Sequence, residues 1–199
     1  MKKLIQITVI FIAAILSFQM TLMAQQNDTD TNANYRDKET IDAAFKKELI
    51  ELGFKGGVYP ELVKKASVNL PYVVMDKVIH SQNVSAIRPD GTTLKGRIPT
   101  DVNQQQLINA SKLSCVGAIN IIKNAADGDL SQVRKIANIR FLTLSAPEYT
   151  DYAEVSNACS EMMVRVFGQT VGSHTRFAIG LVSSPMNETF KLNLVAYLK

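Results

Sequence analysis

The residues able to do chemistry are few, and the cationic ones that could grip an anion, Arg176 and Lys191, lie toward the C-terminal end. Two histidines, His80 and His174, and two cysteines, Cys115 and Cys159, are too few for a His-rich metal centre or a disulfide scaffold. No C-x-x-C pair points to structural zinc, and no cofactor or metal is expected. The remaining reactive groups are cations in alternating segments. His174 and Arg176 stand two residues apart, as do Lys191 and Asn193, and residues two apart on an extended chain share a face. A guanidinium is a planar fork that grips a carboxylate through two parallel hydrogen bonds. A histidine beside it can shuttle a proton near neutral pH or simply donate a structural hydrogen bond. Lysine at its ordinary pKa is protonated and cannot be a general base, unless a neighbouring arginine lowers it enough to free the amine. With Arg176 and Lys191 on one face, the pair favours an anion with more than one charged group, a dicarboxylate or a phosphorylated acid.

Those residues need a sheet to hold them. Residues 133–144 alternate, with Ala137, Ile139 and Phe141 on one face and Asn138 and Arg140 on the other. Residues 175–182 set Phe177, Ile179 and Leu181 against Arg176, Ala178 and Gly180, the first group being assigned to the core. Residues 189–199 set Phe190, Leu192, Leu194, Ala196 and Leu198 inward and Lys191, Asn193, Val195 and Tyr197 outward. A strand is also predicted at 73–79, and a turn at Arg88-Pro-Asp-Gly-Thr92. Asp101 with Gln104 has the form of a capping box before a helix bearing Leu107, Ile108, Ser111, Cys115, Ala118, Ile119 and Ile122. Asp151 with Glu154 repeats it, opening a helix that Gly168 closes. Thr40 caps an earlier helix ending at Gly53. Single apolar faces in this order predict an α+β fold, with helices packed on one side of a mixed β-sheet. The sheet's second face, carrying Arg140, Arg176, Lys191 and Tyr197, is of the kind another subunit covers.

The first residues read as an address. Lys2 and Lys3 precede an apolar run and the small residue Ala24, the pattern of a secretory signal peptide over 1–24. An uncleaved anchor is the alternative. Residues 25–39 are a polar linker, 40–70 an N-terminal helical extension and 71–199 the main domain, so the chain is expected to be exported, periplasmic or secreted, with no stable membrane insertion after cleavage. The formal charge of +4 falls to +2 once the two lysines are removed, 20 basic against 18 acidic residues. Without a basic stripe, an aromatic stacking platform or a paired acid and base for phosphodiester cleavage, no nucleic-acid partner is expected. An oxidising compartment permits a Cys115–Cys159 disulfide, but two cysteines within apolar helical stretches read more simply as buried free thiols.

The stretches Asp129-Leu-Ser-Gln-Val-Arg-Lys-Ile, Val155-Ser-Asn-Ala-Cys through Val166-Phe-Gly168, and His174-Thr-Arg-Phe-Ala-Ile-Gly180 with Pro185 nine residues after Arg176 resemble the RidA/YjgF family. These are the reactive intermediate deaminases, also called endoribonuclease L-PSP-like proteins. The segments Met75-Asp-Lys-Val-Ile-His-Ser-Gln-Asn83 and Lys95-Gly-Arg-Ile98 are similar to the family's first sheet segment, and the leading helix to a subgroup with an N-terminal extension. The resemblance spans roughly residues 40–199. It implies a chorismate-mutase-like α+β fold and a homotrimer with pockets between subunits. It also implies hydrolysis of enamines and imines of 2-keto acids to keto acid and ammonia.

Within that resemblance Arg176 is the carboxylate grip. Tyr72 stands for the pocket tyrosine, and Ser81 for the serine of a Ser-Gly-Gln turn, in either of two registers (Ser81-Gln82-Asn83 or His80-Ser81-Gln82). Lys191 takes the place of a water-activating glutamate, Asn193 that of an often acidic residue, and Ala178 that of a cysteine. His174 recurs in the subgroup. Two functions are therefore carried forward: a 2-imino acid deaminase with activity altered at Lys191, and a non-catalytic trimeric binding protein for a small anionic metabolite.

Overall fold

The computed structural model describes residues 34–60 and 70–199. The proposed signal peptide, residues 25–33 of the linker and residues 61–69 of the extension lie outside the described residues. The first helix, α1, runs Lys38–Glu51. A hairpin follows, β1 Tyr72–Met75 and β2 Val78–Ser81, then the short β3 Val84–Ser85. The long helix α2, Gln104–Ala125, leads to β4, Val133–Leu144. Helix α3, Tyr152–Gly172, leads to β5, Thr175–Leu181, and β6, Phe190–Leu198, closes the chain. The predicted α+β class is the one found.

The sheet runs β1-β2-β6-β4-β5, with β3 also paired to β6. Every pairing is antiparallel except β4 with β5, which α3 connects as a crossover. One face of the sheet is covered by helices. There Ile136, Ile139 and Phe141 of β4 meet Phe190, Leu192, Leu194 and Ala196 of β6, under Cys115, Ile119 and Ile122 of α2 and Cys159, Met162 and Val166 of α3. The strand at 73–79 is instead a two-strand hairpin, turning at Asp76 and Lys77 with φ of 48° and 65°. In β4, bulges between Val133/Lys135 and Ile136/Asn138 bring Ile136 inward beside Ile139.

Helix starts differ from the expected ones by a few residues. The capping box of α2 is Asn103 with Gln106, each side chain bonded to the other's backbone N–H at 2.9 and 3.0 Å. Asp101 turns back instead to accept from Arg97 N at 2.8 Å, and Gln104 donates to Glu154 across the helix pair at 3.0 Å. Glu154 is thus engaged elsewhere, and Asp151 makes no side-chain cap on α3. Asp37 rather than Thr40 caps α1, accepting from Thr40 N at 2.7 Å. Gly168 does close the regular run of α3, with a non-helical φ of 80°, and a further short helical piece carries the element on to Gly172.

Two further corrections concern what is tied down. The linker does not extend to Glu39. Tyr35 packs on the core, Arg36 donates to the carbonyls of Arg165 and Val166, and Ile41, Phe45 and Leu49 of α1 enter the same core as α2 and α3. The two cysteines are not free: Cys115 and Cys159 face each other from α2 and α3, with Cα atoms 5.4 Å apart, and form a disulfide. Both helices turn their apolar faces to the same sheet, and this is what brings the thiols together.

Candidate functional site

The register of β5 decides where the site lies. Arg176 is paired with Ile139 and Ala178 with Phe141. Ile139 and Phe141 are fully buried beneath the helices, so Arg176, Ala178 and Gly180 belong to the helix-covered face. Phe177 and Ile179, assigned to the core by their hydrophobicity, point to the open face and are 46% and 41% exposed. The alternation in this strand was legible; its sense is inverted. The open face is itself apolar, so hydrophobicity alone picks the wrong side of this edge strand.

Arg176 is held from α3. Its Nη1 donates to Ser160 Oγ at 2.9 Å and its Nη2 to Asn157 Oδ1 at 2.6 Å. Of five guanidinium N–H donors, three keep no partner among the described residues. Ser160 Oγ also lies 3.0 Å from His174 Nε2, and His174 Nδ1 lies 2.7 Å from the carbonyl of Gly172. A carbonyl only accepts, so Nδ1 carries the hydrogen and neutral Nε2 offers its lone pair to the serine hydroxyl. Burial pulls the imidazole below its ordinary 6.5. The bond to Gly172 opposes this, and the charges of Arg176 and Lys135 add to the lowering. Ser160 further borders an open groove of about 450 Å³ along α3, lined also by Glu161, Val164, Arg165 and Gln169.

Lys191 lies elsewhere. It is paired with Leu142 of β4 and Ser85 of β3, on the open face of the sheet. The shared face expected for Arg176 and Lys191 is therefore not found. Nor is Lys191 an uncompensated cation. Its Nζ is 3.0 Å from Glu188 Oε2, which also accepts from Ser85 Oγ at 2.7 Å, and the two side chains are only 14% and 8% exposed. Asn193, on the same open face, donates to Asn83 Oδ1 at 2.7 Å.

Tyr72 and Ser81 face each other across the β1–β2 hairpin. Tyr72 is half-buried against the core, and Ser81 Oγ accepts from Leu194 N at 2.9 Å while donating to Gln82 O at 3.0 Å. The serine hydroxyl is thus spent on joining β2 to β6. Of the expected site residues, Arg176 and His174 are joined through Ser160, Tyr72 and Ser81 pair across the hairpin, and Lys191 and Asn193 lie on the opposite face of the sheet from Arg176. The partners Ser160, Asn157 and Glu188 were not anticipated. Their signal was small: Asn157 and Ser160 are polar residues three apart on a helix that also carries Glu154, Ser156 and Glu161, and Glu188 stands three before Lys191. Among the described residues no group of three or more His, Cys, Asp or Glu could hold a metal ion, and no helix is long and apolar enough to cross a membrane.

No family model matches the chain. A curated protein of Trypanosoma cruzi, Protein TCP17, is 23% identical over 150 residues, 75% of this chain and 91% of the relative. Among solved structures, Atu1372 from Agrobacterium tumefaciens, a protein with unknown function, superposes with a TM-score of 0.70 at 23% identity over 81% of this chain and 98% of its own. A proposed endoribonuclease from Shewanella oneidensis MR-1 superposes with a TM-score of 0.67 at 20% identity, over 77% and 98%. The chain shares the fold of these two proteins, and its mixed sheet with helices on one side is the α+β arrangement that the RidA/YjgF resemblance implies.

Proposed function

We propose that this chain is a RidA/YjgF-type protein that hydrolyses small 2-imino acids to 2-keto acid and ammonia, gripping the substrate carboxylate at Arg176. The observation that carries this reading is the attachment of Arg176 to α3. Ser160 and Asn157 fix the guanidinium from behind, and its three remaining N–H donors stay available for a carboxylate. A fork fixed before the ligand arrives loses less entropy on binding than a free surface arginine. Carboxylate capture accounts for recognition of 2-iminopropanoate and 2-iminobutyrate, whose remaining reactive feature is the C=N carbon next to that carboxylate.

The reading extends to assembly and place of work. The open sheet face exposes Val73, Met75, Phe177, Ile179 and Tyr197, an apolar surface suited to burial between copies in a homotrimer. The signal-peptide pattern and the disulfide both suit an oxidising compartment outside the cytoplasm. One observation favours a second reading, a binding protein for a small anionic metabolite. The carboxylate beside the position of the family's glutamate, Glu188, is committed through Oε2 to Lys191 and Ser85.

Decay of freshly generated 2-iminopropanoate, followed by trapping the imine that remains, separates the two. Faster decay with the full chain, lost in Arg176→Ala, supports the deaminase. Decay no faster than buffer, with 2-keto acid binding that Arg176→Ala abolishes, supports the binding protein.

A further inference from the structure

We propose that Ser160 and His174 form the proton relay that activates the hydrolytic water, taking over from the opposite sheet face the role the family resemblance gives to a glutamate at position 191. This rests on the deaminase reading above and gives it a base on the same sheet face as the carboxylate grip.

The hydrogen bonds leave room for such a relay. A serine hydroxyl has one donor and two acceptor directions. Ser160 gives its hydrogen to His174 Nε2 at 3.0 Å and accepts from Arg176 Nη1 at 2.9 Å, so one acceptor direction remains for a water. Gly172 O fixes the imidazole in the one tautomer that can take a proton at Nε2. The hydroxyl sits beside the guanidinium that would hold the substrate carboxylate and opens on the groove along α3. Water placed there is close to the imine carbon of any 2-imino acid bound at Arg176, because that carbon is bonded directly to the carboxylate.

The step balances without another reagent. Water oxygen attacks the imine carbon and the C=N π pair moves to nitrogen. The water proton passes to Ser160 Oγ as the serine proton passes to His174 Nε2. The histidinium returns its proton through Ser160 to the nitrogen that took the π pair, giving the neutral carbinolamine. The hydroxyl proton then passes through the same two residues to the amine as the C–N bond breaks and the oxygen lone pair forms C=O, releasing ammonia and the 2-keto acid. The charged groups facing the imidazole are Arg176 on β5 and Lys135 on β4, both cationic. Burial first, and these two charges after it, favour the neutral imidazole, the state a base requires, and pull its pKa below 6.5.

A purely structural role, in which Ser160 and His174 only brace Arg176, would raise KM and leave kcat and its pH dependence alone. The test is steady-state hydrolysis of 2-iminopropanoate across pH by the full chain and by His174→Gln, Ser160→Ala and Ser160→Thr, with thermal melts showing that each is folded. His174→Gln keeps a donor for Gly172 O and Ser160→Thr keeps the hydroxyl. The relay requires His174→Gln to lower kcat on the order of a hundredfold with little change in KM. The acid limb of the native pH profile should vanish in that variant, and Ser160→Thr should recover most of what Ser160→Ala loses. A His174→Gln protein with native kcat and profile, when Arg176→Ala is inactive, overturns the relay and leaves the deaminase reading intact. A native protein no faster than buffer overturns the deaminase reading, and the relay with it.

Discussion

Arg176 and Lys191 lie on opposite faces of one sheet. Ile139 ties them together: Arg176 and Leu194 are its two cross-strand partners, so all three share the helix-covered side. Lys191 is three residues from Leu194 and points the other way. Within one subunit, then, no anion touches both cations, and the dicarboxylate or phosphorylated acid favoured by a paired site is not what this geometry selects. The site at Arg176 offers a single fork for a single carboxylate.

Lys191 is expected to matter for stability rather than turnover. Replacing it by Met leaves Glu188 buried with only Ser85 to satisfy it, which costs about 3 kcal/mol. Lys191→Glu sets two carboxylates side by side and costs at least as much. Both variants should melt roughly 6–12 °C lower, and Lys191→Glu should not hydrolyse imines faster than the native chain. A stable, faster Lys191→Glu protein would show that Glu188 does not hold Lys191.

Reduction of the Cys115–Cys159 disulfide should destabilise the fold. The bridge closes a separation of 44 residues, for which the loop-closure model gives about 4 kcal/mol, or roughly 8–16 °C in Tm for a domain of this size. Melting with and without reductant checks it, with the Cys115→Ala/Cys159→Ala protein expected to match the reduced form and to be insensitive to reductant.

Gly180 tests the inverted face of β5. A Cβ there would collide with Tyr152 Oη and Ser145 Oγ, which are bonded to each other at 2.8 Å across it. Gly180→Ala should cost about 1–3 kcal/mol through overpacking. Adding Tyr152→Phe removes one obstructing oxygen, so the double variant should be more stable than the sum of the two single changes allows. If Gly180 faced the open side, Ala would be tolerated and no coupling would appear.

The order of elements, the single mixed sheet and the inward set of β6 were legible because apolar residues there recur with the strand and helix periods and nothing competes. Failures came where two signals were equally good. Asp101/Gln104 and Asn103/Gln106 are both cap-like pairs two residues apart, and only the packing of α2 on α3 selects the second by drawing Gln104 toward Glu154. Phe177 and Ile179 are as hydrophobic as core residues but belong to an edge strand on a sheet with two apolar faces. Of the site, Arg176 and His174 were visible as a same-face pair. Ser160, fourteen residues before His174 and on another element, was not, because only the packing of α3 on the sheet brings it within reach.

Acid should destabilise the protein in two separate windows. The His174 pKa lies below 6.5 in the folded chain, chiefly through burial, so the unfolded chain binds more protons as pH falls past 6.5. Stability from this group is complete above 6.5 and is lost as pH drops through the folded pKa. The second window belongs to Asp37, Asp90 and Asp129. Their carboxyls are held below 3.8 by hydrogen bonds from Thr40, Thr92 and Ser131, so their contribution is present above 3.8 and lost below it. Denaturant unfolding measured from pH 8 to 3 should therefore show a first decline below 6.5 that His174→Gln removes, and a second near 4 that it leaves in place. A native profile flat between 6.5 and 5 would mean that His174 is not held neutral, and a neutral imidazole is what the proposed relay requires.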